Sequence, residues 1–349
     1  MPDTRGTHLN STNSGGLSWT TALLLAFALA ITHVAASPTS DAQAYQLVGD
    51  MLKAQRSLAY SGEQVTTIYS QGGPISSSEQ TVVHDGTRGM RLDYHSPARL
   101  AGESRGDNGR VLWHFKIKKR EVDQMPSALG RLKQEIRRAE DSIKNRRIVL
   151  HVMGEDTVAG RHTVIVQASP VNPGVATEAG ARRFWIDPAN GAQLRIVVLG
   201  PTGNPISDSY FTQITYSPPL TPNAFDPPAD AATTNLRAEI PFQTVGHVPP
   251  GVVPALGFDV LEPSYLPAGY HFDSGQMFTF KGAPAFGIRY VNGLTVISLY
   301  ETMNKKPKSH NHFMLHRNGM LTGVLSGIQV VLLGNVDSSD LIRMYQSLH

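Results

Sequence analysis

Two short runs constrain this chain more than any other feature. Met90, Leu92 and Tyr94 alternate with Arg91 and Asp93, and Val111, Trp113 and Phe115 alternate with Leu112, His114 and Lys116. A period of two over that length is the pattern of a pleated strand with one drier face. It predicts two strands joined by a longer polar connection, Ser96 to Arg110, closing on Asp107, Asn108 and Gly109. It also predicts that Met90, Leu92, Tyr94, Val111, Trp113 and Phe115 share one apolar surface, a hydrophobic cavity in need of a cover. The cover is either the protein's own helices alone or those helices and a guest molecule.

The flanking chain extends this sheet. Leu47, Val48, Met51, Leu52, Gln55 and Leu58 recur at helical spacing behind a Ser40/Gln43 capping box. Strands are expected at 63–70, 79–84, 148–153, 163–167, 183–186, 194–199 and 210–215, separated by Gly, Pro, Asn and Asp turns. Leu129, Leu132, Ile136, Ala139 and Ile143 place a second amphipathic helix within Ser127–Arg147, rich in cations that include Arg131, Arg137 and Arg138. Two readings of that segment stand: a solvated helix over the sheet, or a basic docking face for an acidic peptide or a lipid headgroup. A first helix, a long antiparallel meander and an inserted helix make an α+β pattern, and such a sheet must curl around its cover.

Prolines crowd residues 218–257, which reads as a stiff connector between residues 40–217 and a smaller domain at 258–349. That smaller domain shows further strands, hairpin turns at Asn292-Gly293 and Asn318-Gly319, and a last helix from Ser338 or Ser339. Residues 1–36 carry an apolar core, Ala22–Ile31, ahead of Val34-Ala35-Ala36. This is the form of a cleaved export signal, with an uncleaved anchor as the other reading. Either places the bulk of the chain outside the cytoplasm.

Composition narrows the function. A net charge of +3 is too slight for a nucleic-acid interface. With no cysteine there is no thiol nucleophile, disulfide or zinc thiolate site. No nucleophile elbow, phosphate loop, dinucleotide glycine pattern or His-Glu-x-x-His occurs, so no catalytic residue or cofactor is expected. His310, His312 and His316 would share one strand face and could hold a metal ion, although a surface loop explains them more simply.

Several stretches resemble the MucB/RseB family of periplasmic sigma-factor regulators. They are Tyr60-Ser61-Gly62, Val82-Val83-His84, Asp156–Arg161 and Arg183–Asp187 with Gly191, Leu194, Gly203 and Phe211, then Leu266–Tyr270 and Asn292–Glu301. The resemblance implies a lipoprotein-carrier-like N-terminal domain, a curved antiparallel half-barrel with helices on its concave face, plus a smaller C-terminal α+β domain. It also implies a non-enzymatic protein that binds the extracytoplasmic segment of a membrane anti-sigma factor and senses lipid or lipoprotein. A periplasmic carrier of lipoprotein or other acylated cargo is the alternative.

Overall fold

The computed structural model describes residues 41–70, 73–86, 88–171, 178, 180–235, 243–245, 252–253, 256–280, 282–303, 311–316 and 319–349. The expected export signal, Ser40 and His310 lie outside the described residues. Among the described residues no helix is long and apolar enough to cross a membrane.

The chain opens with α1 (Asp41–Ser57), then β1 (Ala59–Ser70), β2 (Gly73–Asp85), β3 (Gly89–Ser96), β4 (Ser104–Asp107), β5 (Val111–Lys116) and β6 (Glu121–Pro126). After α2 (Leu129–Lys144) come β7 (Ile148–Val158), β8 (Arg161–Pro170), β9 (Arg182–Ile186), β10 (Gln193–Leu199), β11 (Pro205–Tyr216) and β12 (Ala232–Asn235). These twelve strands form one sheet, in the order β12-β6-β5-β4-β3-β2-β1-β11-β10-β9-β8-β7. Its end strands β12 and β7 do not pair with each other, so the sheet is open. All pairings are antiparallel except that of β12 with β6.

Then follow β13 (Gln243–Val245), β14 (Val252–Val253), β15 (Phe258–Asp259), β16 (His271–Phe280), β17 (Ala283–Val291) and β18 (Val296–Met303). The chain closes with β19 (His312–His316), β20 (Met320–Leu325), β21 (Ile328–Gly334) and α3 (Ser338–Gln346). Seven of these strands make a second sheet, β13-β16-β17-β18-β21-β20-β19, and β14 pairs with β15 alone. The proline-rich stretch thus contributes a strand to each large sheet, β12 to the first and β13 to the second.

Each sheet has its own core. Ala44, Leu47, Val48, Met51 and Leu52 of α1 bury against Val82, Val166, Ile186, Leu194 and Phe211. Ile136 of α2 joins the same cluster, with Leu132, Ala139 and Ile143 at its margin. The helical stripe expected of α2 is therefore the side that packs. In the second sheet Phe286, Ile288, Leu299, Val330 and Leu332 pack on Leu341, Met344 and Tyr345 of α3.

Candidate functional site

The six residues expected to line one apolar surface divide between two faces of the first sheet. Directly paired residues of an antiparallel ladder project to the same side. Val82, Leu92, Arg105 and His114 form one such row, and Val83, Arg91, Gly106 and Trp113 the next. Met90, Leu92 and Tyr94 hence share the inner face of Val82, on which α1 packs, while Val111, Trp113 and Phe115 point outward. The cause is β4. The stretch Ser96–Arg110 is not only a connection; it contains a strand that separates β3 from β5 and resets which positions align.

On the outer face Trp113 and Phe115 meet Val122 in a small cluster edged by Val111 and Ala231. Trp113 is 1% exposed, and its Nε1–H donates to the Phe225 carbonyl at 2.8 Å. Its ring covers Gly106, where an added Cβ would stand 2.5 Å from it. The cover over this aromatic surface is thus the stretch after β11, which sequence periodicity does not reveal. Of the six residues, Val111 borders a cleft of about 450 Å³ shared with Asn108, Arg110, Gln124, Asp226 and Pro227. A second cleft, about 350 Å³, lies between Asp50–Leu58 and the Pro188–Gly191 turn.

Helix α2 begins where Asp107 of β4 receives it. The buried carboxylate accepts the Ala128 N–H and the Ser127 hydroxyl, both at 2.7 Å. From there the helix reaches the second sheet. Arg138 pairs with Glu135 at 3.0 Å and with Asp273 of β16 at 2.9 Å, and Glu135 also receives Arg289 of β17 at 2.8 Å. Glu135 further supports the charge of Arg182 against the burial that opposes it. Of the three cations expected on a basic face, Arg138 is therefore engaged between the sheets. Arg137 is exposed, and the Arg131 side chain lies outside the described residues. The junction acids and Arg289 were not legible in the sequence, because they are distant in the chain and none repeats with a period.

The histidines do not converge. His84 and His114 are buried, and burial lowers both below the usual histidine value, against the Leu58 carbonyl and the Glu103 carboxylate respectively. His95, His151 and His162 each face a carboxylate at the surface. His312 and His316 do share a face of β19, yet four residues of extended chain separate them by about 13 Å, too far for one ion. Among the described residues no group of three metal-ligating side chains occurs. A buried ionic set does lie on the outer face of β7–β11. Arg195 stacks 4.2 Å from the Trp185 ring centroid and pairs with Asp208 at 3.5 Å, and the Trp185 Nε1–H donates to Asp156. Burial raises the Asp208 carboxyl to about 8, with Arg195 pulling it back.

A family model described as the MucB/RseB N-terminal domain matches residues 43–229. No curated protein matches the sequence. Among solved structures, MucB in complex with MucA(peri) is similar at a TM-score of 0.58 and 16% identity, covering 88% of this chain and 98% of that one. The Pseudomonas aeruginosa MucA/MucB complex gives 0.56 at 15% identity, over 88% and 98% of the two chains. MucB alone gives 0.54 at 17%, over 89% and 99%. At such identities the likeness is one of fold.

Proposed function

The chain belongs to the MucB/RseB family, and from that premise we propose that it is a non-enzymatic, extracytoplasmic regulator that binds the extracytoplasmic segment of a membrane anti-sigma factor. The observation that carries this reading is the family match over residues 43–229, more than half of the chain. MucB itself forms a complex with MucA(peri), and the present chain resembles its fold across both sheets. The reading takes residues 40–217 and 258–349 as the two domains, and the signal-like start as the export route.

A finer part of the reading is that the first sheet is a curved half-barrel able to sense lipid or lipoprotein on its inner face. Chain length supports the curvature. β6 and β7 stand second and last among twelve strands, ten spacings or about 48 Å apart if the sheet were flat. The link between them is residues 127–147, of which α2 supplies 16 residues and about 24 Å. With the seven extended steps from Pro126 to Leu129 and from Lys144 to Ile148, the full reach is about 47 Å. A flat sheet would pull that link straight and leave no slack for Ile136 of α2 to pack in the first core. Helices α1 and α2 cover the inner face, so an acyl chain entering there would have to displace one of them.

Calorimetric titration of the full chain with the extracytoplasmic domain of the anti-sigma factor from the same cell tests the main reading. Saturable binding that also slows proteolysis of that domain is expected, and no binding would end the proposal. Native mass spectrometry of protein purified from its own envelope tests the finer part. Retained acyl cargo is expected; cargo-free protein under gentle conditions counts against lipid sensing.

A further inference from the structure

Where α2 meets the second sheet, arginines gather. Arg138 and Arg289 share the carboxylate of Glu135, and Arg138 reaches Asp273 as well. Just before β7, an Arg147 N–H donates to Nε2 of His271 at 2.9 Å. Arg182, on β9, completes the group. It stands in the inner row with Val198 and Ala168. Gly180, two residues earlier, lies against the second sheet, since an added Cβ there would be 3.6 Å from the Thr295 side chain. Glu135 and Tyr270 both lie within range of the Arg182 charge.

The charges of this group do not balance. Four guanidinium groups, those of Arg138, Arg147, Arg182 and Arg289, accompany two carboxylates, those of Glu135 and Asp273. Neighbouring acids are engaged elsewhere: Glu178 pairs with Arg183 on the other face of β9, and Asp340 accepts the Tyr265 hydroxyl. The Arg182 guanidinium has no hydrogen bond or ion pair to another described residue, and burial works against its charge. Its Nε is sealed from solvent, as is that of Arg289, and neither has an acceptor. A buried donor on a charged group is costly to leave unpaired. Arg182 as a whole is only half-buried, so part of the side chain stays open to a solute.

We propose that this junction is an anion site that takes a phosphate group between Arg182 and Arg289. A guanidinium offers its N–H donors in a planar fork that matches the oxygens of phosphate and of carboxylate. The excess of positive charge selects between the two. A phosphomonoester carries about −1.5 to −2 at neutral pH, enough to offset the two cations that the carboxylates leave over, whereas a carboxylate offsets one. Arg182 belongs to the first sheet and Arg289 to the second, so the occupant ties the two together. Free phosphate and a phospholipid headgroup both supply this chemistry. The site requires neither the partner-binding reading nor the acyl-cargo reading.

The test is calorimetric titration of the full chain with inorganic phosphate and with glycerol 3-phosphate, against chloride at equal ionic strength, with thermal melts in parallel. Saturable binding and a rise in melting temperature are expected. Arg182→Gln should weaken binding about tenfold or more. Arg289→Lys, which keeps a charge opposite Glu135 and removes the Nε–H, should weaken it too. Arg137→Gln, at an exposed position of α2, should leave it unchanged. In chloride alone Arg182→Met should melt no lower than the parent, because it removes a charge that the fold leaves uncompensated. A clear drop there would mean that the fold already satisfies this arginine, and would overturn the proposal. Phosphate that binds no better than chloride overturns it, as does parent affinity in both arginine variants. Tighter binding of glycerol 3-phosphate supports the site and assigns it to a headgroup; equal or tighter binding of inorganic phosphate supports it and assigns it to the free ion. None of these results decides partner binding.

Discussion

Glu301 is a residue whose surroundings conflict with its chemistry. It is 1% exposed among the apolar side chains of the second core, and one oxygen accepts the Leu261 N–H at 3.0 Å. Burial raises its carboxyl to about 8, with Leu261 lowering it and Glu262 raising it further. Tyr290, which feels both carboxylates, is raised by the same burial. The folded state thus holds a proton that the unfolded chain releases near the ordinary glutamate value. Stability from this group is present in full below about 4.5 and is lost as pH rises toward about 8. Glu301→Gln keeps the shape and removes the titration. It is expected to melt above the parent at about pH 8 and to match it more closely at about pH 4, read by thermal melts at both.

Among the elements, α2 shows how far a correct local assignment falls short of a role. Its stripe of Leu132, Ile136, Ala139 and Ile143 is visible at helical spacing, and the helix forms there. Which cations stay free depends on Asp273 and Arg289, more than a hundred residues downstream. Its start depends on Asp107, a turn residue by sequence and a buried anchor in the fold. Asp107→Ala leaves the Ala128 N–H and the Ser127 hydroxyl without their acceptor. A loss of about 1–3 kcal/mol is expected, seen as a lower denaturant midpoint at unchanged slope. Strand β4 is the complementary case. Ser104-Arg105-Gly106-Asp107 has no apolar alternation to betray a strand, yet it forms one because neighbours on both sides supply its ladder.

At the scale of the whole molecule, two sheets with separate cores are joined by a helix that belongs to the first and is salt-bridged to the second. Backbone also crosses the junction: an added Cβ at Gly293 would meet Ile148 and Ser142 at 3.1 and 3.4 Å. The Asn335 amide donates to the Leu199 carbonyl at 3.2 Å. Glu135 is the acid that serves both sides. Glu135→Gln leaves Arg138 and Arg289 short of a counter-charge and should weaken the junction by about 1–2 kcal/mol. Calorimetry is expected to show the two cores melting further apart than in the parent; a single unaltered transition would mean that the backbone contacts alone couple them.

The sequence by itself determined the helices and the strands with a clear alternation, the α+β class and the motifs of the family, because those depend on local periodicity, turn chemistry and short residue patterns. It determined neither the face of Trp113 nor the loss of Arg138 to an internal pair. Strand parity is set by how many strands lie between, and an ion pair by which distant carboxylate arrives, so both were decided only when the chain closed on itself.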